Sequence, residues 1–344
     1  MKKRIGYLDI IRLFACFCVI TVHFNASISG YDIYGAFHYS NSLIPNEWFG
    51  VYLGTLGVGL FFLISGVALE YSNPKVEDWR QFYKKRFLSI YPGFWIAFII
   101  SLIITFWKEH TLPNAPLWHL FVSFAGFDGY AMSMGFQGSG FYQVGEWFLG
   151  CIILIYAIYP LLSYLLHRWP IPFLTVYSIG WVALSVLKVN MDWFFMWSYY
   201  VVLGMTFVRF GQAEKQKWIW LVLVVVVLFR IVGDGVLQYS FKVLLTSGIL
   251  FLFIVSIGNI FKEQIARASG FLKNLSGLTY PVFLIHHRLI FYWAKEYDLS
   301  CLSRRNCLFL YIQYVMASFF LGWTLTYIIK RLTQKGKIDP VASK

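Results

Sequence analysis

The sequence predicts an all-α integral membrane protein, and three observations carry that prediction. Of 344 residues, 59% are hydrophobic and only 13% charged, whereas a soluble domain holds about a quarter charged residues and under half apolar ones. Apolar runs such as 218–229 and 244–260 approach or reach the roughly 20 residues that cross a bilayer. Lys and Arg gather between those runs, in alternate connections, as the positive-inside rule requires.

Counting apolar windows gives about ten transmembrane helices, near residues 5–26, 51–72, 89–107, 147–166, 172–188, 193–210, 216–233, 240–261, 279–296 and 308–331. The basic groups Lys2 to Arg4, Lys75 with Lys84 to Arg86, Arg168, Arg209 with Lys215 and Lys217, Lys262 to Lys273, and the tail from Lys330 then fall on one side. An even count places both termini in the cytoplasm. Lys295, Arg304 and Arg305 break the pattern, since they fall on the outer side of this topology. Basic residues 1–4 ahead of an apolar stretch resemble a signal peptide, but Asp9 and Arg12 interrupt it and no small-residue cleavage site follows, so a retained first helix is expected. The chain reads as one transmembrane domain over residues 1–335 with a short cytoplasmic tail at 336–344, in a cell membrane, with lipid as its solvent.

The net charge of +13 does not indicate nucleic acid, because the cations punctuate helix ends rather than forming one patch. Cys16, Cys18 and Cys151 lie in predicted helices as small apolar side chains, while Cys301 and Cys307 share an outer connection where a disulfide could persist. The stretch from Trp118 to Tyr142 is rich in Gly and aromatics, and suits either an interfacial aromatic belt or stacking on sugar rings. A serine-hydrolase elbow and a GK[ST] phosphate loop are both missing from the sequence. Ser65 reads as a helix-packing residue.

Ionisable residues inside a span usually face the bundle interior. The first helix has three, Asp9, Arg12 and His23. Arg12 and His23 are eleven residues apart, almost three full turns and about 16 Å, so they share a face. Asp9, three residues before Arg12, is placed to hold its guanidinium. A phosphate-bearing carrier anchored at Arg12 could extend an arm to His23, and coenzyme A has that shape. An imidazole with an unperturbed pKa of about 6.5 there is a candidate general base. His286 and His287 are adjacent and point about 100° apart, so one of them, His286, is expected to face the site. No His, Cys, Asp and Glu spacing suggests zinc.

With these residues in view, the sequence resembles the acyltransferase-3 family of membrane acyltransferases, which O-acylate exported glycans. LDIIRLFACFCVITVHF (residues 8–24), with ten residues between Arg12 and His23, resembles the family's opening motif. GLFFLISG (59–66) resembles its second-helix signature, KRFLSIYP (85–92) its basic cytoplasmic turn, and Trp147, Phe148, Leu149, Tyr156 and Pro160 its WFL helix. YPVFLIH (280–286) resembles its late motif.

That resemblance implies His23 as catalytic base, Arg12 as a donor contact, and Lys85, Arg86 and Tyr91 as donor-binding residues. Trp147 and His286 enter as further site residues. Two positions depart from the family: Ser89 stands where a second Arg often lies, and Ile152 where a Glu often follows WFL. Glu146, at roughly the depth of His23, is the expected substitute. The expected function is transfer of an acyl group, acetyl by family preference, from acyl-CoA to a hydroxyl of a cell-surface or exported glycan. Acetyl-CoA would be the donor substrate with no tightly bound cofactor, a glycan or lipid-linked sugar the acceptor, and nucleic acid no partner. The alternative is a transporter or flippase for a sugar or lipid-linked glycan, lined by Arg12 and His23. No internal symmetry of the kind common in transporters is visible.

Overall fold

The computed structural model describes residues 4–28, 43–136, 140–210, 238–296 and 302–335. Each of the nine expected spans within those residues is helical. α1 is Gly6–Ile28, α2 Leu53–Ser72 and α3 Trp79–Glu109. After the short α4 (His119–Phe124) and α5 (Asp128–Ser133) come α6 (Glu146–Arg168), α7 (Pro170–Val186) and α8 (Phe194–Phe210). The chain continues with α9 (Tyr239–Ile260), short α10 (Lys262–Arg267) and α11 (Ser269–Ser276), then α12 (Thr279–Glu296) and α13 (Arg304–Lys335).

Six of these helices, α1, α2, α3, α6, α9 and α13, are long and apolar enough to cross a membrane, while α7 and α8 have 17 residues each. The span expected at 216–233 lies outside the described residues, so the count of ten and the orientation of the termini stand as expectations. Large apolar side chains point outward along the bundle, among them Ile103 and Phe106 on α3, Ile171 and Val176 on α7, and Phe309 and Phe320 on α13. Such exposure is costly in water and ordinary against lipid tails.

α2 is the central element, packed between α1 on one side and α8 and α9 on the other. Glycines make the approach possible. A Cβ on Gly66 would strike the carbonyl of Val201, and one on Gly204 the carbonyl of Leu63, so α2 and α8 meet backbone to backbone. Gly57 similarly admits the Ala15 carbonyl of α1, at 2.7 Å from a virtual Cβ. The GLFFLISG segment is therefore a packing surface. Ser65 donates to the Phe61 carbonyl one turn back, at 2.7 Å, as a packing residue would.

Three expectations need correction. Residues 85–92 are not a turn: α3 begins at Trp79, capped by Asp78, whose carboxylate accepts from the Gln81 amide at 2.9 Å, and runs unbroken through Pro92. Charged residues fill its first turns, so an apolar window finds only its later part. The aromatic stretch after Trp118 is not a plain loop but carries α4 and α5, with Trp118, Phe121 and Phe136 exposed as an interfacial belt would have them. α4 and α5 fold back into the bundle, where Trp95 and Tyr91 of α3 donate to the carbonyls of Phe124 and Ala125 at 2.8 and 3.2 Å, and α5 packs on α6. The loop then reaches Gly145 at φ +98°, where a side chain would strike Leu149 and Phe94; that glycine starts α6. The third correction concerns the histidines, below. Cys16, Cys18, Cys151 and Cys307 are buried; Cys301, with which Cys307 could pair, lies outside the described residues.

Ahead of α2, a two-residue hairpin (β1, Glu47–Trp48; β2, Val51–Tyr52) turns through Phe49 and Gly50, both at positive φ (55° and 69°). Such a pair of conformations matches the right-handed twist of the strands. Asn25 near the C-terminal end of α1 donates to the Ile44 carbonyl and the Asn46 side chain, both at 2.8 Å, tying the hairpin to that end.

Candidate active site

α1 is one uninterrupted helix, so Arg12 and His23 lie on one face at opposite ends, about 16 Å apart by helical rise. Each end has its own environment.

At the N-terminal end of α1 Asp9 is buried and is the hub of a polar cluster. Its carboxylate accepts from Arg4 Nη2 and Nε at 2.6 and 2.8 Å and from Ser276 Oγ at 2.7 Å, with Arg12 Nη1 farther away at 3.8 Å. Asp9 therefore grips Arg4 more closely than Arg12, contrary to the simple i,i+3 expectation. The reason is steric: Arg4 reaches the carboxylate in bidentate geometry, and Ser276 at the end of α11 occupies one flank. Arg12 is left half-buried with most of its N–H edge directed elsewhere.

On that other side stands Tyr156 of α6, within electrostatic range of Arg12. The Arg86 guanidinium carbon lies 5.7 Å from the Tyr156 ring centre and 5.6 Å from that of Phe82. Arg12 and Arg86, 74 positions apart in sequence, thus flank one tyrosine. Tyr280 of α12 adjoins the group, near Tyr156 and Tyr91, and its hydroxyl donates to the Ile90 carbonyl at 2.9 Å. Among the described residues, buried Arg86 Nε has no hydrogen-bond partner. Two guanidiniums near one tyrosine make a cationic grouping suited to phosphate. Lys85 is not brought to this group; it is exposed, with Nζ 3.5 Å from Gln81 Oε1. Tyr91 reaches it only through its ring, since its hydroxyl is committed to Ala125.

Toward the C-terminal end of α1 His23 meets both α12 histidines. Its ring centre is 5.0 Å from that of His286 and 4.5 Å from that of His287. The expectation that only one could face the site fails because His23 sits in the angle between two adjacent side chains, not in front of either. His286 is fully buried. Its Nδ1 is 3.1 and 2.9 Å from the carbonyls of Val282 and Phe283, which assigns the ring proton of the neutral form to Nδ1. Among the described residues, no group of three or more His, Cys, Asp or Glu is arranged to hold a metal ion.

Aromatic packing links this cluster to α6 and α8. Phe283 lies 6.2 Å from His286 and 5.4 Å from Phe148, and Phe148 lies 4.9 Å from Phe62. Phe62 and Trp147 both pack on Trp197, at 5.2 and 5.7 Å. Trp147 is therefore part of the wall behind the histidines. Glu146 is the first residue of α6; its side chain lies outside what the structure describes.

Three residues escaped the sequence reading. His287 was set aside by the angle argument. Arg288 is next to it, and its guanidinium donates to the carbonyls of Gln143 and Tyr142 at 2.5 and 2.7 Å. Glu70 is buried near the C-terminal end of α2 with Tyr159 Oη and His167 Nε2 at 3.3 and 3.2 Å. Arg288 and Glu70 both lie inside predicted spans, so the rule that drew attention to α1 would have found them.

Taken together, the fold and site define a membrane-embedded helical protein whose polar centre is a histidine cluster joined by one helix to a cationic group of Arg12 and Arg86 near Tyr156. The chain belongs to the acyltransferase-3 family: the model of that family's acyltransferase domain matches residues 5–331. It is also similar to the acyltransferase MdmB of Streptomyces mycarofaciens, at 29% identity over 128 residues. That match covers 35% of this chain and 31% of the relative, so it spans less than a third of that protein's length. No solved structure matches.

Proposed function

We propose that this protein is an acetyl-CoA-dependent O-acyltransferase whose acceptor is a hydroxyl of an exported or cell-surface glycan. The observation that carries the reading is the placement of Arg12 and His23 on one face of α1, the first beside Arg86 and Tyr156, the second against His286 and His287.

In this reading the phosphates of coenzyme A rest on Arg12 and Arg86 at the inner end, and the pantetheine arm follows α1 outward. The thioester carbonyl then lies near His23. The acceptor hydroxyl attacks that carbonyl while His23 takes its proton. The C–O bond forms, the C–S bond breaks, and the imidazolium returns the proton to the departing thiolate, giving ester and free coenzyme A. No covalent acyl-enzyme is required. Family membership favours this over a transporter lined by the same residues. The protein would work in a bacterial inner or plasma membrane with both termini in the cytoplasm.

The test is release of coenzyme A from acetyl-CoA by the purified protein in lipid, with cell-envelope glycan as acceptor. Glycan-dependent release that vanishes in His23→Ala supports the proposal. Absence of release from well-folded wild type across several donors and acceptors rejects it.

A further inference from the structure

Two cavities meet at Arg288. One, of about 440 Å³, lies beside the histidine cluster and is lined by Tyr142, Gln143, Phe283, His287 and Phe291. Its size is within the range of small-molecule sites, and three aromatic rings line it, the surfaces on which sugar rings stack. The other, of about 360 Å³, runs between α3, α12 and α13 and is walled almost wholly by aliphatic side chains, including Ile100, Ile104, Leu289, Leu321 and Ile328. Ile100 and Ile104 on its rim are 42% and 37% exposed on the outside of the bundle, so the groove opens toward lipid. Val144, Leu284 and Arg288 belong to the walls of both cavities.

Arg288 is thus a cation on the partition between an apolar, membrane-facing groove and an aromatic cavity beside His287. The Gln143 and Tyr142 carbonyls take one N–H from Nε and one from Nη2, fixing the side chain but supplying no negative charge. Three of its five N–H donors remain. Among the described residues no carboxylate lies within ion-pair distance of it. A guanidinium held in this way at the end of a hydrocarbon groove matches one ligand chemistry, an anionic headgroup carrying a long hydrocarbon tail on one side and a polar group on the other.

We infer that the acceptor is a lipid-linked sugar phosphate: its tail lies in the groove between α3, α12 and α13, its phosphate on Arg288, and its sugar in the cavity beside His287, within reach of His23. This rests on the acyltransferase reading and specifies its acceptor. Arg288 would then be a binding residue whose guanidinium sets where along the membrane normal the sugar is presented.

The experiment measures binding, apart from turnover, on the full-length protein in discs of zwitterionic phospholipid. Three ligands are compared: a long-chain polyprenyl phosphate, the matching polyprenyl alcohol, and a hexose 1-phosphate without a tail. The phosphate with its tail is expected to bind at least about tenfold more tightly than either of the others, since a charge-assisted guanidinium–phosphate contact in a low-dielectric site is among the stronger hydrogen-bonded pairs. Arg288→Met should abolish the advantage over the alcohol. Because that change also releases residues 142 and 143, a second variant, Leu321→Trp, fills the groove from α13 without touching them. Provided it keeps the wild-type melting profile, it should weaken the tailed phosphate by a similar factor.

Equal binding of phosphate and alcohol, indifference to Leu321→Trp, or equal displacement by an anionic phospholipid would each overturn the inference. Tight, Arg288-dependent binding in a protein that transfers no acyl group to any acceptor would leave this site standing and remove the acyltransferase reading instead.

Discussion

The two ends of α1 are held by different physics. Around its N-terminal end, Asp9 is locked by Arg4 and Ser276 with Arg12 beyond them, and Glu70 by Tyr159 and His167, so position is fixed by charge and by hydrogen bonds to it. At its C-terminal end, His23 sets its ring edge against face on His286 and tilted on His287, and the His286 ring is oriented by backbone carbonyls of its own helix. Fixed charge suits binding of an anion that arrives and leaves unchanged. Imidazoles in contact suit a proton that must be taken and given back.

The sharpest way to test this contrast is to remove the base. His23→Ala should lower kcat by about 10² to 10⁴-fold, the usual contribution of a general base, while the KM for acyl-CoA changes little. If KM moves as much as kcat, the two ends are not separate. Next in size is Asp9→Asn, which leaves Arg4 and Arg12 facing each other without their buried counter-charge. Because Arg4 is nearly half exposed, losing that counter-charge costs about 1–3 kcal/mol, visible as a lower melting temperature in detergent and a smaller folded yield, with the residual folded enzyme keeping its pH profile.

A step below is Arg12→Gln, expected to raise the KM for acyl-CoA by roughly tenfold to a hundredfold, as losing one charge-assisted contact of about 1.5–3 kcal/mol should. Arg86→Gln should do the same in kind. A double variant that falls short of the product of the two would show that both act on one phosphate group. The smallest effect belongs to the outer surface, where Lys108 pairs with Glu296 at 3.1 Å and both are well exposed. Lys108→Ala should change stability by no more than about 1 kcal/mol, measured as a melting shift. A larger loss would mean that its packing over Tyr292, at 4.8 Å, matters more than the ion pair.

How much of this could be read in advance depends on which physical period was involved. The helices of the described chain were legible because bilayer thickness imposes a length and lipid imposes a composition, and α1 was legible in detail because eleven residues make almost three turns. The start of α3 was not, since Arg80, Lys84, Lys85 and Arg86 mask ten helical residues from any apolar count. The meeting of His23 with both His286 and His287 was not legible either. Helical phase describes one helix, and the angle into which a neighbour fits is decided by packing between two. Arg12 and Arg86 were each singled out, yet their convergence on Tyr156 needed the fold. Arg288 went unnoticed although it lies in plain view within a predicted span.

The seam between α2 and α8 has a mechanical consequence. Where Gly66 and Gly204 bring carbonyl against backbone, there are no side-chain rotamers to exchange, and a slip of one residue would force a side chain into a peptide group. Two helices so meshed behave as a single strut. With α1 keyed to the same strut at Gly57, the helix that carries Arg12 and His23 is bolted to the frame, and sliding along this seam is opposed sterically. Whatever binds those two residues meets a stationary anvil.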